Sequence, residues 1–162
     1  MAFKLTYATM FNPPEELHKG FDKAVAALKQ NLGKEYGMII DGKEVFADEK
    51  FQDRSPVNTD LVLAVMQKGN ATHANMAIAA ARKAAASWGR TPWQTRVKLV
   101  RKAVANIEKR LFELGAAMAM EVGKNRMESL GDVQETADLM AYSAKMMEEN
   151  NGFVKPMGKD PL

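Results

Sequence analysis

Four carboxylates in this chain, Glu128, Asp132, Glu135 and Asp138, recur at three- and four-residue steps. That spacing places them along one side of a helix, within reach of one another. Acids so paired can divide the work of general acid and general base. The same positions also suit the positive end of a helix macrodipole. No catalytic nucleophile or metal site stands nearby in sequence, so the structural role is the stronger reading.

Other constellations are excluded more firmly. The chain has no cysteine in 162 residues, which removes a thiolate nucleophile, a disulfide and a cysteine-bound metal. Its two histidines, His18 and His73, fall on separate expected helices and lack the spacing of a helical zinc pair. No two glycines flank a single residue, so the dinucleotide fingerprint Gly-x-Gly-x-x-Gly is missing. Every Gly-Lys pair is followed by a residue other than Ser or Thr, which removes the phosphate-cradling P-loop. No serine sits in a Gly-x-Ser-x-Gly elbow.

A basic stretch holds Arg90, Arg96, Lys98, Arg101, Lys102, Lys109 and Arg110 against the single acid Glu108. It could face nucleic acid or an acidic partner, but it also fits the solvated side of an amphipathic helix, the better reading of the two. A net charge of +3, from 23 basic and 20 acidic residues, is too balanced to call for a polyanion. No run has the length or apolarity of a membrane span, and Met1-Ala-Phe-Lys-Leu-Thr-Tyr7 lacks a signal-peptide core. The expectation is a cytoplasmic protein without nucleic-acid or membrane partners. Asn70-Ala-Thr72 then matches a glycosylation sequon by chance.

The elements that would carry these residues follow from period and punctuation. Asn12-Pro-Pro-Glu15 reads as a helix start, with Asn12 as cap and Leu17, Phe21, Ala24, Leu28 and Leu32 at helical spacing up to Gly33. Met38-Ile-Ile40 and Lys43-Glu-Val-Phe46 flank Asp41-Gly42, a hairpin turn. Phe51 to Ser55 and Leu61 to Gln67 read as two further strands. An alanine-rich helix runs from about Thr72 to Ser87. Thr91-Pro-Trp-Gln94 reads as a capping box that opens one long helix. Its stripe is Val97, Val100, Val104, Ile107, Leu111, Leu114 and Met118, and Gly123 ends it. Asn125 caps a last helix with the stripe Val133, Ala137, Met140, Ala144 and Met147. Trp88 and Trp93 are expected to anchor core. The twelve methionines are expected mainly inside, with some surface left for docking.

These pieces come in a recognisable order: the Met38-Ile-Ile-Asp-Gly-Lys-Glu-Val45 hairpin, Arg54-Ser-Pro-Val-Asn-Thr-Asp60, and Ala77-Ile-Ala-Ala-Ala-Arg-Lys-Ala84. Trp88, Trp93-Gln-Thr-Arg96, Ile107-Glu-Lys-Arg110 and Glu121-Val-Gly-Lys-Asn125 continue the series. The ordered set resembles the N-terminal portion of the aldehyde dehydrogenases, from about Phe3 to Leu162. Phe11-Asn-Pro-Pro-Glu15, the Ser-Pro-Val-Asn-Thr-Asp phrase and Gly131-Asp-Val-Gln-Glu135 are most similar to one branch. That branch acts on 1-pyrroline-5-carboxylate (glutamate semialdehyde) in proline breakdown.

The resemblance implies an α/β fold that is mainly helical in this chain: helices plus N-terminal β-hairpins, lacking most of the family's nucleotide-binding sheet. One unit spans residues 1–162, with a helical leader (1–35), β-hairpins (36–70), helices (71–152) and a tail (153–162). In the family a cysteine thiolate attacks the aldehyde, hydride passes to NAD, and a glutamate-activated water releases the acid. The segments bearing those groups lie beyond the part matched here, so no catalytic residue carries over. The chain alone is expected to bind no cofactor and to be inactive. Its expected partner is another copy of itself or a complementary downstream dehydrogenase polypeptide. One residue does carry over: the branch's Asp-Val-x-Glu phrase places Glu135 near the substrate, where its carboxylate could face an ammonium group or remain an ordinary helix residue. The alternative reading is a non-catalytic helical module for interaction or oligomerisation.

Overall fold

The hairpin is the most local piece of the fold. Asp41 and Gly42 both take positive φ, 52° and 73°, the geometry of a two-residue turn that matches strand twist. The turn pairs β2 (Met38–Ile40) with β3 (Lys43–Val45), Ile40 opposite Lys43. The computed structural model describes residues 12–158, so the expected phrases before Asn12 and the last four residues lie outside it.

A second, three-stranded sheet is built of β1 (Lys34–Tyr36), β4 (Lys50–Arg54) and β5 (Val62–Gln67) in the order β1-β5-β4. The expected pair β4–β5 is present and antiparallel. Strand β1 runs parallel to β5 and was not anticipated: three exposed residues carry no alternation. Gln67 makes this junction specific. It is buried, accepts from Ala47 N at 2.9 Å, and donates to Glu35 Oε1 and Tyr36 O, both at 3.0 Å. One amide thus ties β1, β5 and the segment after β3, leaving no buried polar atom of its own unmatched.

Helices make up the rest: α1 (Glu15–Lys29), α2 (Ala71–Arg90), α3 (Trp93–Lys109), α4 (Leu111–Val122) and α5 (Arg126–Glu149). The apolar stripes bury the side they should. Leu17 and Phe21 of α1 meet Leu111 and Ala116 of α4 and Leu130 and Val133 of α5 in one cluster. Leu17 and Leu130 are fully buried, each contributing about 1.5–3 kcal/mol by leaving water. Val97 and Val104 of α3, with Ala137 and Ala144 of α5, are also buried. Gly123, at φ 72°, closes α4 with its N–H bonded to Ala119 O.

Four local expectations are corrected. The long helix is two: Arg110 leaves helical geometry (φ −102°, ψ 18°) between α3 and α4, which lets Leu111 turn into the core. Its capping box does not form, because Pro92 is the N-cap and the Thr91 hydroxyl donates back to Ser87 O. Asn12 does not cap α1; Pro14 occupies that position. Trp88 is not a core anchor but 50% exposed, whereas Trp93 is half-buried against Gly152. The sequon Asn70 has a structural role instead: its side chain accepts from Thr72 N and His73 N, and His73 Nδ1 accepts from Asn70 N, a capping box for α2.

Candidate functional site

The four carboxylates do line the N-terminal half of α5, yet their surroundings divide them. Asn125 caps this helix, its Oδ1 accepting from Glu128 N at 2.9 Å, so Glu128 stands in the first turn, where the macrodipole favours a negative charge. Lys124, just before the helix, pairs with Asp132. Its ammonium is pushed above the ordinary 10.5 chiefly by that hydrogen bond, with the charges of Glu128 and Glu135 adding to it. Asp138 accepts from Nε2 of buried Gln134 at 3.1 Å.

Glu135 differs. It is exposed, its side chain has neither a hydrogen bond nor an ion pair among the described residues, and its charge adds to the pull on Lys124. A helix holds it rigidly, since Val133, Gln134 and Ala137 around it are buried. Such a group can meet an incoming cation without first breaking an internal contact. It cannot by itself form or break a covalent bond to an aldehyde.

The remaining candidates have structural employment. His73 belongs to the cap of α2, and His18 Nδ1 lies 2.7 Å from Arg126 Nη1. Arg126 also pairs with Asp22 and stacks over the Phe21 ring, 4.7 Å from its centroid. This cluster fastens α1 to the start of α5 and was missed in the sequence, because its members are about a hundred residues apart. In the basic stretch, Arg101 grips Glu148 of α5 through two bonds, and Arg110 does the same to Glu113. Those two cations already have acidic partners within the fold.

The sequence profile of the aldehyde dehydrogenase family matches residues 45–161, more than half of the chain, and the chain belongs to that family. Within it, the chain is similar to the 1-pyrroline-5-carboxylate dehydrogenases, as the ordered phrases implied. It is 31% identical over 158 residues to 1-pyrroline-5-carboxylate dehydrogenase 1 of Halalkalibacterium halodurans, covering 89% of this chain and 31% of the relative. It is 33% identical over 131 residues to 1-pyrroline-5-carboxylate dehydrogenase 2 of Bacillus subtilis, covering 81% of this chain and 25% of the relative. The fold is similar to that of the Thermus 1-pyrroline-5-carboxylate dehydrogenase solved with bound NAD: TM-score 0.88, 26% identity, 99% of this chain and 30% of that one. The chain therefore spans less than a third of the length of these relatives.

Among the described residues, the turn from the sheet into the helices is closed to a dinucleotide. The one strand-to-helix connection among the described residues, Lys68-Gly69-Asn70 from β5 into α2, has its helix N-terminus capped: Asn70 Oδ1 already accepts from the Thr72 and His73 amides. A pyrophosphate would need those amides. Two of the cavities among the described residues have mainly aliphatic and methionine walls. Among the described residues no helix is long and apolar enough to cross a membrane.

Proposed function

We propose that this chain is the opening segment of an NAD-dependent dehydrogenase that oxidises glutamate semialdehyde to glutamate, and that it is catalytically incompetent alone. It provides scaffold and one recognition group. Glu135 is the substrate-facing carboxylate, directed at the ammonium of the amino acid semialdehyde. The observation that carries this reading is the combination of a shared fold over nearly the whole chain with the absence of any cysteine.

The chemistry sets the division of labour. Oxidising an aldehyde to an acid requires a nucleophile to make a tetrahedral adduct from which hydride can leave. Among the described residues no side chain is activated for that attack, and the turn from β5 into α2 offers no free amides to NAD, which would accept the hydride. Both belong to the remainder of the fold, which the longer relatives carry. The experiment is to mix this chain with a polypeptide carrying that remainder and follow NADH formation with glutamate semialdehyde. A rate above that of either piece supports the reading; a rate no higher than the pieces alone removes the split-enzyme form.

A second reading, an oligomerising interaction module, is favoured by one observation: α2 has twenty residues and none is buried.

A further inference from the structure

Nine asparagines stand in the chain, and Asn151 alone is followed by glycine. The amide nitrogen of the next residue can attack an asparagine side chain and close a five-membered ring, an intramolecular reaction favoured by proximity. Glycine at the second position leaves the approach open and the backbone free to turn into it. Local structure closes this route at the other asparagines. The side chains of Asn31, Asn58, Asn70, Asn125 and Asn150 are already hydrogen-bonded. Asn75 and Asn106 lie inside α2 and α3, where the following amide is engaged in the helical ladder. Asn12 precedes a proline, whose nitrogen has no proton to lose. Asn151 is exposed, and among the described residues neither its side chain nor the Gly152 amide has a hydrogen-bond partner.

The backbone at this point is strained. Asn151, Gly152 and Phe153 take φ of 50°, 70° and 57°. Glycine accepts such a left-handed run, asparagine tolerates it, and a bulky phenylalanine rarely adopts it. The run turns the chain after α5 so that Gly152 meets the ring of Trp93, the first residue of α3. A Cβ at Gly152 would fall 2.6 Å from Trp93 Nε1, so the ring packs on bare backbone.

We propose that Asn151-Gly152 is a self-modifying site that converts to isoaspartate without an enzyme, and that the conversion releases Trp93. The Gly152 nitrogen gives up its proton and bonds to the Asn151 side-chain carbonyl carbon, and the side-chain nitrogen leaves as ammonia. Water then opens the imide at either carbonyl, breaking one carbon–nitrogen bond and leaving the carboxylate of aspartate or isoaspartate. No oxidant or reductant takes part. The isoaspartyl product has an extra methylene in the main chain ahead of Gly152, which moves that glycine out of register with the ring. Its carboxylate stands at the C-terminal end of α5, just after Glu148 and Glu149, where the macrodipole is already negative. Both changes loosen the join between α3 and the end of α5. This inference concerns contacts within the chain itself and does not depend on the enzymatic reading.

The test uses the chain carrying Trp88→Phe, which leaves Trp93 as its one tryptophan. It is held at neutral and at mildly alkaline pH and sampled by peptide mass mapping, with a fragmentation that separates aspartate from isoaspartate. Asn151 is expected to convert at least about tenfold faster than any of the other eight asparagines, a barrier lower by about 1.4 kcal/mol. Conversion should quicken at the higher pH, with isoaspartate the main product. Trp93 emission should move to longer wavelength in step with it. Asn151→Gln, which would have to close a larger ring, should abolish both changes. Conversion of Asn151 no faster than that of the other asparagines overturns the proposal. So does conversion that leaves Trp93 emission unmoved, or an emission change that persists in Asn151→Gln.

Discussion

Gly115 on α4 and Leu130 on α5 are in direct contact: a methyl group at Gly115 would fall 2.7 Å from Leu130 Cδ2 and 3.3 Å from its Cγ. Leu130 is fully buried, so its side chain has nowhere to retreat. Gly115→Ala therefore pits an overpacking cost of about 1–3 kcal/mol against a helix-propensity gain of about 1 kcal/mol. The expected outcome is a net loss of stability, measured as a lower urea midpoint; an equal or higher midpoint would mean the α4–α5 contact is looser than described.

Asn70→Ala removes the cap of α2, worth about 1 kcal/mol. Because α2 buries none of its residues, the loss should stay local. Amide exchange of Ala74 to Ala77 is expected to accelerate roughly fivefold, with little movement of the global unfolding midpoint. A large global shift would show α2 packed into the core after all.

The Arg101–Glu148 pair joins α3 to α5 across 47 residues of sequence. Arg101 holds the Glu148 carboxyl below its ordinary 4.5, so the folded chain binds this proton less readily than the unfolded one. The stabilisation is present above 4.5 and fades as pH falls through the lower folded value. Glu148→Gln should lower the midpoint slightly near neutral pH and not at all well into acid; both side chains are over 40% exposed, which keeps the effect small. A gap that widens on acidification would contradict the sign.

Glu135→Gln addresses recognition. In a mixture with a complementing polypeptide that turns over, removing a charge-assisted contact of about 1.5–3 kcal/mol should raise KM roughly tenfold or more while kcat changes little. The chain's own stability should not move, since Glu135 is exposed and makes no hydrogen bond among the described residues. Unchanged KM would reduce Glu135 to an ordinary helix residue.

Much of the fold was legible because it is local. The Asp41-Gly42 turn, the stop at Gly123 and the stripes of Val97, Val104, Val133 and Ala137 follow from backbone freedom and helical period. What was hidden depends on distant partners. Strand β1 exists because Lys34 to Tyr36 find β5, and the break at Arg110 serves the burial of Leu111; neither has a period of its own. Trp88 looked like core because its type and spacing suit burial, and only the fold reveals that its own chain does not cover it. That Glu135 lies on the last helix was legible from the helical spacing of Glu128, Asp132 and Asp138 around it. Its isolation was not, since that depends on Lys124 choosing Asp132 and Gln134 choosing Asp138.

With no cysteine to act as nucleophile, the chain by itself is expected not to oxidise a semialdehyde. The direct measurement is NADH formation by the purified chain with glutamate semialdehyde and NAD, compared with buffer and with a denatured sample. Identical slopes are expected in all three. Sustained turnover by the native chain alone, abolished by unfolding it, would contradict it.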